Sequence, residues 1–156
     1  MNLYRFFPHT IFLYFWFVLF FGSTTAVAYE TDYAHAIITT HAGIKITVEV
    51  ADTVEKRSLG LGNRPGLKKG WGMLFVFEKL KPHRFWMKRM QFPLDIIWLD
   101  NHRIVYIIRN AQPTILGEKP QVMSPPVPAN FVLEIDAGRA SELKLELGES
   151  LHYQFL

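Results

Sequence analysis

The chain contains no cysteine among its 156 residues. That one absence excludes disulfides, thiol nucleophiles, thiolate metal sites and a lipid anchor attached through cysteine. Charge of one sign is also scarce: 17 Lys and Arg stand against 14 Asp and Glu, and the basic residues are scattered. Such a balance lacks the cationic footprint of a nucleic-acid protein, so no nucleic-acid partner is expected. Internal repeats, low-complexity stretches, a Gly-x-Ser-x-Gly nucleophile setting and a phosphate-binding glycine spacing are missing too. Stability must come from a hydrophobic core, and a chain of this length suffices for one domain.

What is present begins with the N-terminus. Arg5 precedes an unbroken apolar run, Ile11 to Phe21, and then Gly22-Ser23-Thr24-Thr25 and the small-x-small triplet Ala26-Val27-Ala28. This is the layout of a secretory signal, with cleavage expected after Ala28. The other reading is a retained anchor, although the run is shorter than the ~20 residues that span a bilayer. Either way the domain is expected to be exported, periplasmic or extracellular, with membrane contact only through this segment if it is kept. Only Arg5 of the charged residues falls in residues 1–28, leaving 16 cations against 14 anions, a net +2. Residues 29–33 read as a flexible leader and 34–156 as a single β-rich domain.

Within that domain, Ala34 to Thr40 and Gly43 to Val50 form an expected hairpin, since Ile44, Ile46, Val48 and Val50 alternate with Lys45, Thr47 and Glu49 as a half-buried strand does. Asp52, with Glu55 three residues on, predicts the cap of a short helix over about Thr53 to Leu59, ended by Gly60. Gly62 to Gly70 is loop. Met73 to Phe77 and His83 to Met87 read as strands around a turn at Lys79 to Pro82. Leu94 to Leu99 and Arg103 to Arg109 make a second hairpin across Asp100-Asn101-His102. Asn110 to Pro128 carries five prolines and reads either as a functional loop or as a stiff wrapper. Asn130 to Ile135, a short helix over Gly138 to Leu143 and a strand over Ser150 to Phe155 complete the chain. About eight short strands with one or two short helices predict a mostly β, α+β domain, a curled sheet or pseudo-barrel with a helix against one end.

Several separated signals fall in one order: Arg57-Ser58-Leu59-Gly60-Leu61 with Arg64 and Leu67; Gly72-Met73-Leu74-Phe75-Val76-Phe77; Phe85-Trp86-Met87-Lys88; Pro93-Leu94-Asp95-Ile96 with Leu99-Asp100. Val132-Leu133-Glu134, Gly138 and Leu147-Gly148-Glu149 follow. Over nearly all of Ile44 to Phe155 this resembles the domain of unknown function 192 family, small proteins often carried behind an export signal. Arg89-Met90 stands where that family usually has a small polar pair, and Glu149 where it often has Asp. The resemblance implies a compact β-rich domain and supplies no function.

Two carboxyls interrupt apolar strands, Asp95 in Leu94-Asp95-Ile96-Ile97 and Glu134 in Val132-Leu133-Glu134-Ile135. A buried carboxylate must be paired or change its proton affinity. Lys88 is the nearest candidate cation in sequence, with Arg57, Arg64 and Arg84 as others. Lys88, Asp95 and Glu134 are therefore the candidate acid-base group of a small enzyme on a polar substrate, or else a structural ion-pair network. Trp86 shares a strand face with Lys88, which suits a sugar or peptide platform if exposed and simple core if covered. Met73, Met87, Met90 and Met123 with His83 and His102 would offer a soft metal its ligands, but they lack compact spacing and suit core filling; no metal or cofactor is expected. The leading expectation is an exported accessory or binding domain. Its groove would be bordered by Trp86, Lys88 and the proline-rich loop, with Asp95, Arg57 and Arg64 contributing, and would hold a small ligand, peptide, glycan or partner protein.

Overall fold

The computed structural model describes residues 32–115 and 117–156; the expected signal segment lies outside them. Residues from Thr31 onward form a compact unit of their own, and both hydrophobic clusters among the described residues are closed within it. A chain of residues 31–156 therefore carries its own core.

Nine strands and two short helices follow one another among the described residues. Seven strands form one mixed sheet: β1 (Ala34–Thr39), β2 (Lys45–Ala51), β3 (Trp71–Lys81), β5 (Leu94–Asp100), β6 (Arg103–Ala111), β8 (Ala129–Asp136) and β9 (His152–Phe155). Their order is β6-β5-β8-β3-β2-β1-β9. The two hairpins expected from alternation are both present, β1 with β2 and β5 with β6. β2 and β3 pair in parallel, which needs a crossover, and α1 (Val54–Leu59) with the loop after it supplies one. A two-stranded ribbon, β4 (Phe85–Trp86) with β7 (Val122–Met123), lies apart from the main sheet.

The sheet curls without closing into a continuous barrel. Gly148 to Leu151 lies along the start of β6, bonded through Ile104 N–H to the Glu149 carbonyl and Leu151 N–H to the His102 carbonyl. It then turns into β9 against β1, so the two edges meet at one corner. The concave face holds one core cluster, including Ile38, Ile46, Leu74, Ile97, Leu133 and Leu151. α2 (Arg139–Glu142) covers that face through Ala140. The convex face holds the second cluster, including Met73, Phe75, Ile96, Trp98 and Val132, and the ribbon covers it through Phe85 and Met123. β5 is buried on both faces, as its nearly unbroken apolar sequence requires.

Local departures have physical reasons. Thr53, not Asp52, caps α1: its hydroxyl accepts from Lys56 N–H at 3.2 Å, while Asp52 pairs with Lys56 at 3.5 Å. β3 runs on through Lys81, where a turn was expected, because past an irregularity Lys81 regains a partner in Ala129. The expected strand His83 to Met87 shortens to Phe85–Trp86, and the proline-rich segment contributes β7 to pair with it. Tyr33, placed in the leader by sequence, is buried in the convex core with the Arg64 guanidinium 5.2 Å from its ring centre.

Gly72 shows how closely β3 and β8 approach. A methyl there would sit 2.6 Å from the Glu134 carbonyl oxygen and 2.9 Å from Ile135 Cγ2. Gly72→Ala must push β8 away, and overpacking of this kind costs about 1–3 kcal/mol. Thermal unfolding should register a loss of roughly 5–10 °C; an unchanged midpoint would mean the strands are not held this tightly.

Candidate functional site

From His83 to Lys88 the side chains alternate: His83, Phe85 and Met87 are buried, Arg84, Trp86 and Lys88 exposed. The inward three pack on the convex core, with Phe85 edge-on to Phe75, centroids 5.0 Å apart, and to Trp98 at 5.6 Å. Trp98 Nε1 donates to the His83 carbonyl at 3.2 Å. The segment is braced from its far side by β7 and by Thr114, whose hydroxyl donates to the Met87 carbonyl at 3.2 Å. Trp86 is left 53% exposed.

Between this segment, α1 and the end of β3 opens a cavity of about 510 Å³, a size that suits a small organic ligand. Phe75, Phe77, Phe85 and Met90 give it apolar walls. His83 stacks on Phe77 at 3.6 Å and meets the Lys79 carbonyl through Nε2 at 3.1 Å. Burial holds the His83 imidazole below its ordinary range. Arg57 spans the wall, donating to the carbonyls of Asp52 at 2.6 Å and Val76 at 2.8 Å, with its guanidinium 5.2 Å from the Phe77 ring centre. Lys79, Lys81, Arg84 and Lys88 line the cavity and are exposed. None of the ion pairs among the described residues uses them.

Glu134 contributes the deep acidic group. It is 5% exposed, lines the cavity, and makes no side-chain hydrogen bond or ion pair among the described residues. Burial alone raises its carboxyl to about 8, because a low-dielectric site disfavours the charged form. At neutral pH it is a neutral acid with a proton to donate and lone pairs to offer.

The three residues expected to form an acid-base group do not assemble. In the β5–β8 ladder Asp95 stands opposite Ile135 while Glu134 stands opposite Ile96. Since successive side chains alternate faces, Asp95 points into the concave core and Glu134 to the convex side. Asp95 is fully buried, and its two oxygens accept from Asn110 N–H and Ala140 N–H, each at 2.8 Å. Arg64 also lies elsewhere, paired with Glu49 beside a smaller cavity of about 240 Å³. Of the expected ligand-binding residues, Arg57, Trp86 and Lys88 meet at the larger cavity, and Glu134 joins them. The proline-rich loop contributes no lining residue; it supports the Trp86 strand from behind. Lys79, Lys81 and the stacked Phe77–His83 pair were not singled out for this site by sequence, since a turn was expected where β3 continues.

The DUF192 family model, described as an uncharacterized ACR, matches residues 36–153. The chain belongs to this family. Two solved structures are similar to it. One, from Sinorhizobium meliloti 1021 and provisionally described as a transcription regulator, is 29% identical, covers 80% of this chain and 97% of its own, and superposes with a TM-score of 0.70. The other, from Novosphingobium aromaticivorans DSM 12444, is described as a protein of unknown function; it is 30% identical over 76% of this chain and 83% of its own, with a TM-score of 0.63. No curated protein matches the chain. DUF192 membership thus fixes the family and leaves the chemistry to the site itself.

Proposed function

We propose that this DUF192 chain is an exported ligand-binding domain whose cavity takes a small organic anion with an apolar body. The observation that carries the reading is Glu134, a carboxyl at a 5% exposed position that has no protein partner among the described residues and reaches the cavity. A ligand oxygen accepting its proton supplies the hydrogen bond that no protein group gives, in surroundings of low polarity where it is stronger than in water. The aromatic walls favour a flat or apolar middle, and the cations at the mouth favour an anionic end over a cationic one. The N-terminal signal pattern supports export.

A screen of carboxylates, phosphate esters and sulfonates by thermal unfolding of residues 31–156 tests this. A ligand at about 100 times its dissociation constant stabilises by about 2.7 kcal/mol, a rise of roughly 8–12 °C. The rise should shrink in Lys88→Ala and in Glu134→Gln. No compound raising the midpoint, or a rise equal in both variants, would refute the reading.

One observation favours a second reading, an enzyme. Glu134 is protonated near neutral pH and shares its cavity with His83, whose proton affinity is moved the other way. Opposed shifts of this kind suit general acid and base work. Asp95 has no part in it. Chemical change of a stabilising compound, abolished in Glu134→Gln while binding persists, would establish this reading in place of simple binding.

A further inference from the structure

The mouth of the cavity carries more than one small anion would engage: exposed apolar side chains, and a run of cations among them. Val54, Trp86 and Val122 are each half exposed or more, and they meet at this opening. Val54 and Trp86 line the opening, and Val122 is the cross-strand partner of Trp86. Interleaved with them are Lys79, Lys81, Arg84 and Lys88, and Glu78 is the one exposed acid in the lining. On the strand, Arg84, Trp86 and Lys88 succeed one another on the outward face.

We propose that this collar seats the domain on an anionic lipid surface, with the cavity opening toward the bilayer. Three arguments favour lipid over another anionic partner. The collar's cations lack ion-pair partners among the described residues, which leaves their charge for an anionic surface, worth about fivefold in binding per cation near the headgroups. The tryptophan has the amphipathic ring that settles at headgroup level. The aliphatics are what a hydrated polymer would leave in contact with water and what an acyl boundary buries.

The test uses residues 31–156, which removes the apolar N-terminal run as a competing membrane ligand. The probes are vesicles of phosphatidylcholine alone and of phosphatidylcholine mixed with phosphatidylglycerol, read by flotation and by quenching of tryptophan fluorescence with brominated lipid. Binding to the mixed vesicles should exceed binding to phosphatidylcholine at least tenfold and fall about tenfold in high salt. Brominated lipid should quench the wild type and fail to quench Trp86→Phe. Val122→Ser should weaken vesicle binding about fivefold while leaving the cavity lining, and hence any soluble-ligand response, intact; this separates failure here from failure of the ligand reading. Equal binding to both vesicle types overturns the proposal. So does anionic-vesicle binding untouched by Val122→Ser. Displacement from vesicles by duplex DNA, with Val122→Ser without effect, would overturn it in favour of a polymer site.

Discussion

As pH rises from about 4.5 to about 8, wild-type residues 31–156 should lose stability relative to Glu134→Gln, and above that range the gap should stay constant. The folded carboxyl holds its proton up to about 8, against 4.5 for an unperturbed glutamate. Below the lower value both states are protonated and the group contributes no penalty. Between the two values the unfolded chain has released the proton that the folded chain keeps, so each pH unit costs about 1.4 kcal/mol. Above the upper value both have released it and the accumulated penalty, on the order of 5 kcal/mol, no longer grows. Glutamine keeps the shape, cannot ionise, and removes the dependence. Melting midpoints of the two proteins should therefore coincide near pH 4 and separate by roughly 10–20 °C near pH 9, with glutamine the more stable. His83 titrates in both proteins, so its contribution cancels in the difference. Parallel curves would show that the carboxyl is paired or hydrated, and would remove the central support for the ligand reading. A bound ligand that accepts the Glu134 proton should raise the wild-type curve most below pH 8.

The Glu134 result also marks how far the residues alone could lead. The apolar runs Val132-Leu133-Glu134-Ile135 and Leu94-Asp95-Ile96-Ile97, each interrupted by one carboxyl, read as two strands with that carboxyl at a buried position, and both strands are there. Alternation orders faces within a strand, however, and says nothing of how two strands are set against each other. Only the pairing of Asp95 with Ile135 sends the two carboxyls to opposite faces, and a slip of one residue would have put them together. The same limit applies to Trp86. Its sharing a face with Lys88 was legible, whereas its exposure depends on the ribbon partner Val122, 36 residues away in the chain and inside a segment whose prolines mask a two-residue strand. Arg57 and Arg64 illustrate the converse: alike in sequence, they are committed to different cavities by the loop between α1 and β3.

Asp95→Ala should destabilise the domain by about 3–5 kcal/mol, since two buried amides lose their acceptor together, and lower its midpoint by roughly 10–20 °C. The reason lies in the β5–β6 ladder. Leu94 pairs with Ala111 and Ile96 with Ile108, so Arg109 and Asn110 oppose the single residue Asp95. That is a bulge, and Asn110 adopts φ 56° there, leaving its N–H without a strand partner. One Asp95 oxygen takes that N–H; the other takes the N–H of Ala140 in the first turn of α2, whose N-cap is Gly138 and has no side chain to offer. Arg109, the other bulge residue, donates to the Leu145 carbonyl at 2.7 Å just beyond the helix, so the bulge ties α2 over the concave core at two points. Asp95→Asn keeps one acceptor and turns an amide N–H₂ toward a donor, so it should fall between wild type and alanine. Lys88→Ala, on the exposed face of its strand, should stay within about 0.5 kcal/mol of wild type. Hydrogen exchange at Asn110 and Ala140 gives the local readout: both amides should lose protection in Asp95→Asn at pH values where the fold persists. Retained protection there, or an alanine variant as stable as wild type, would mean that the helix is held by its apolar contacts alone and that the buried carboxyl has another use.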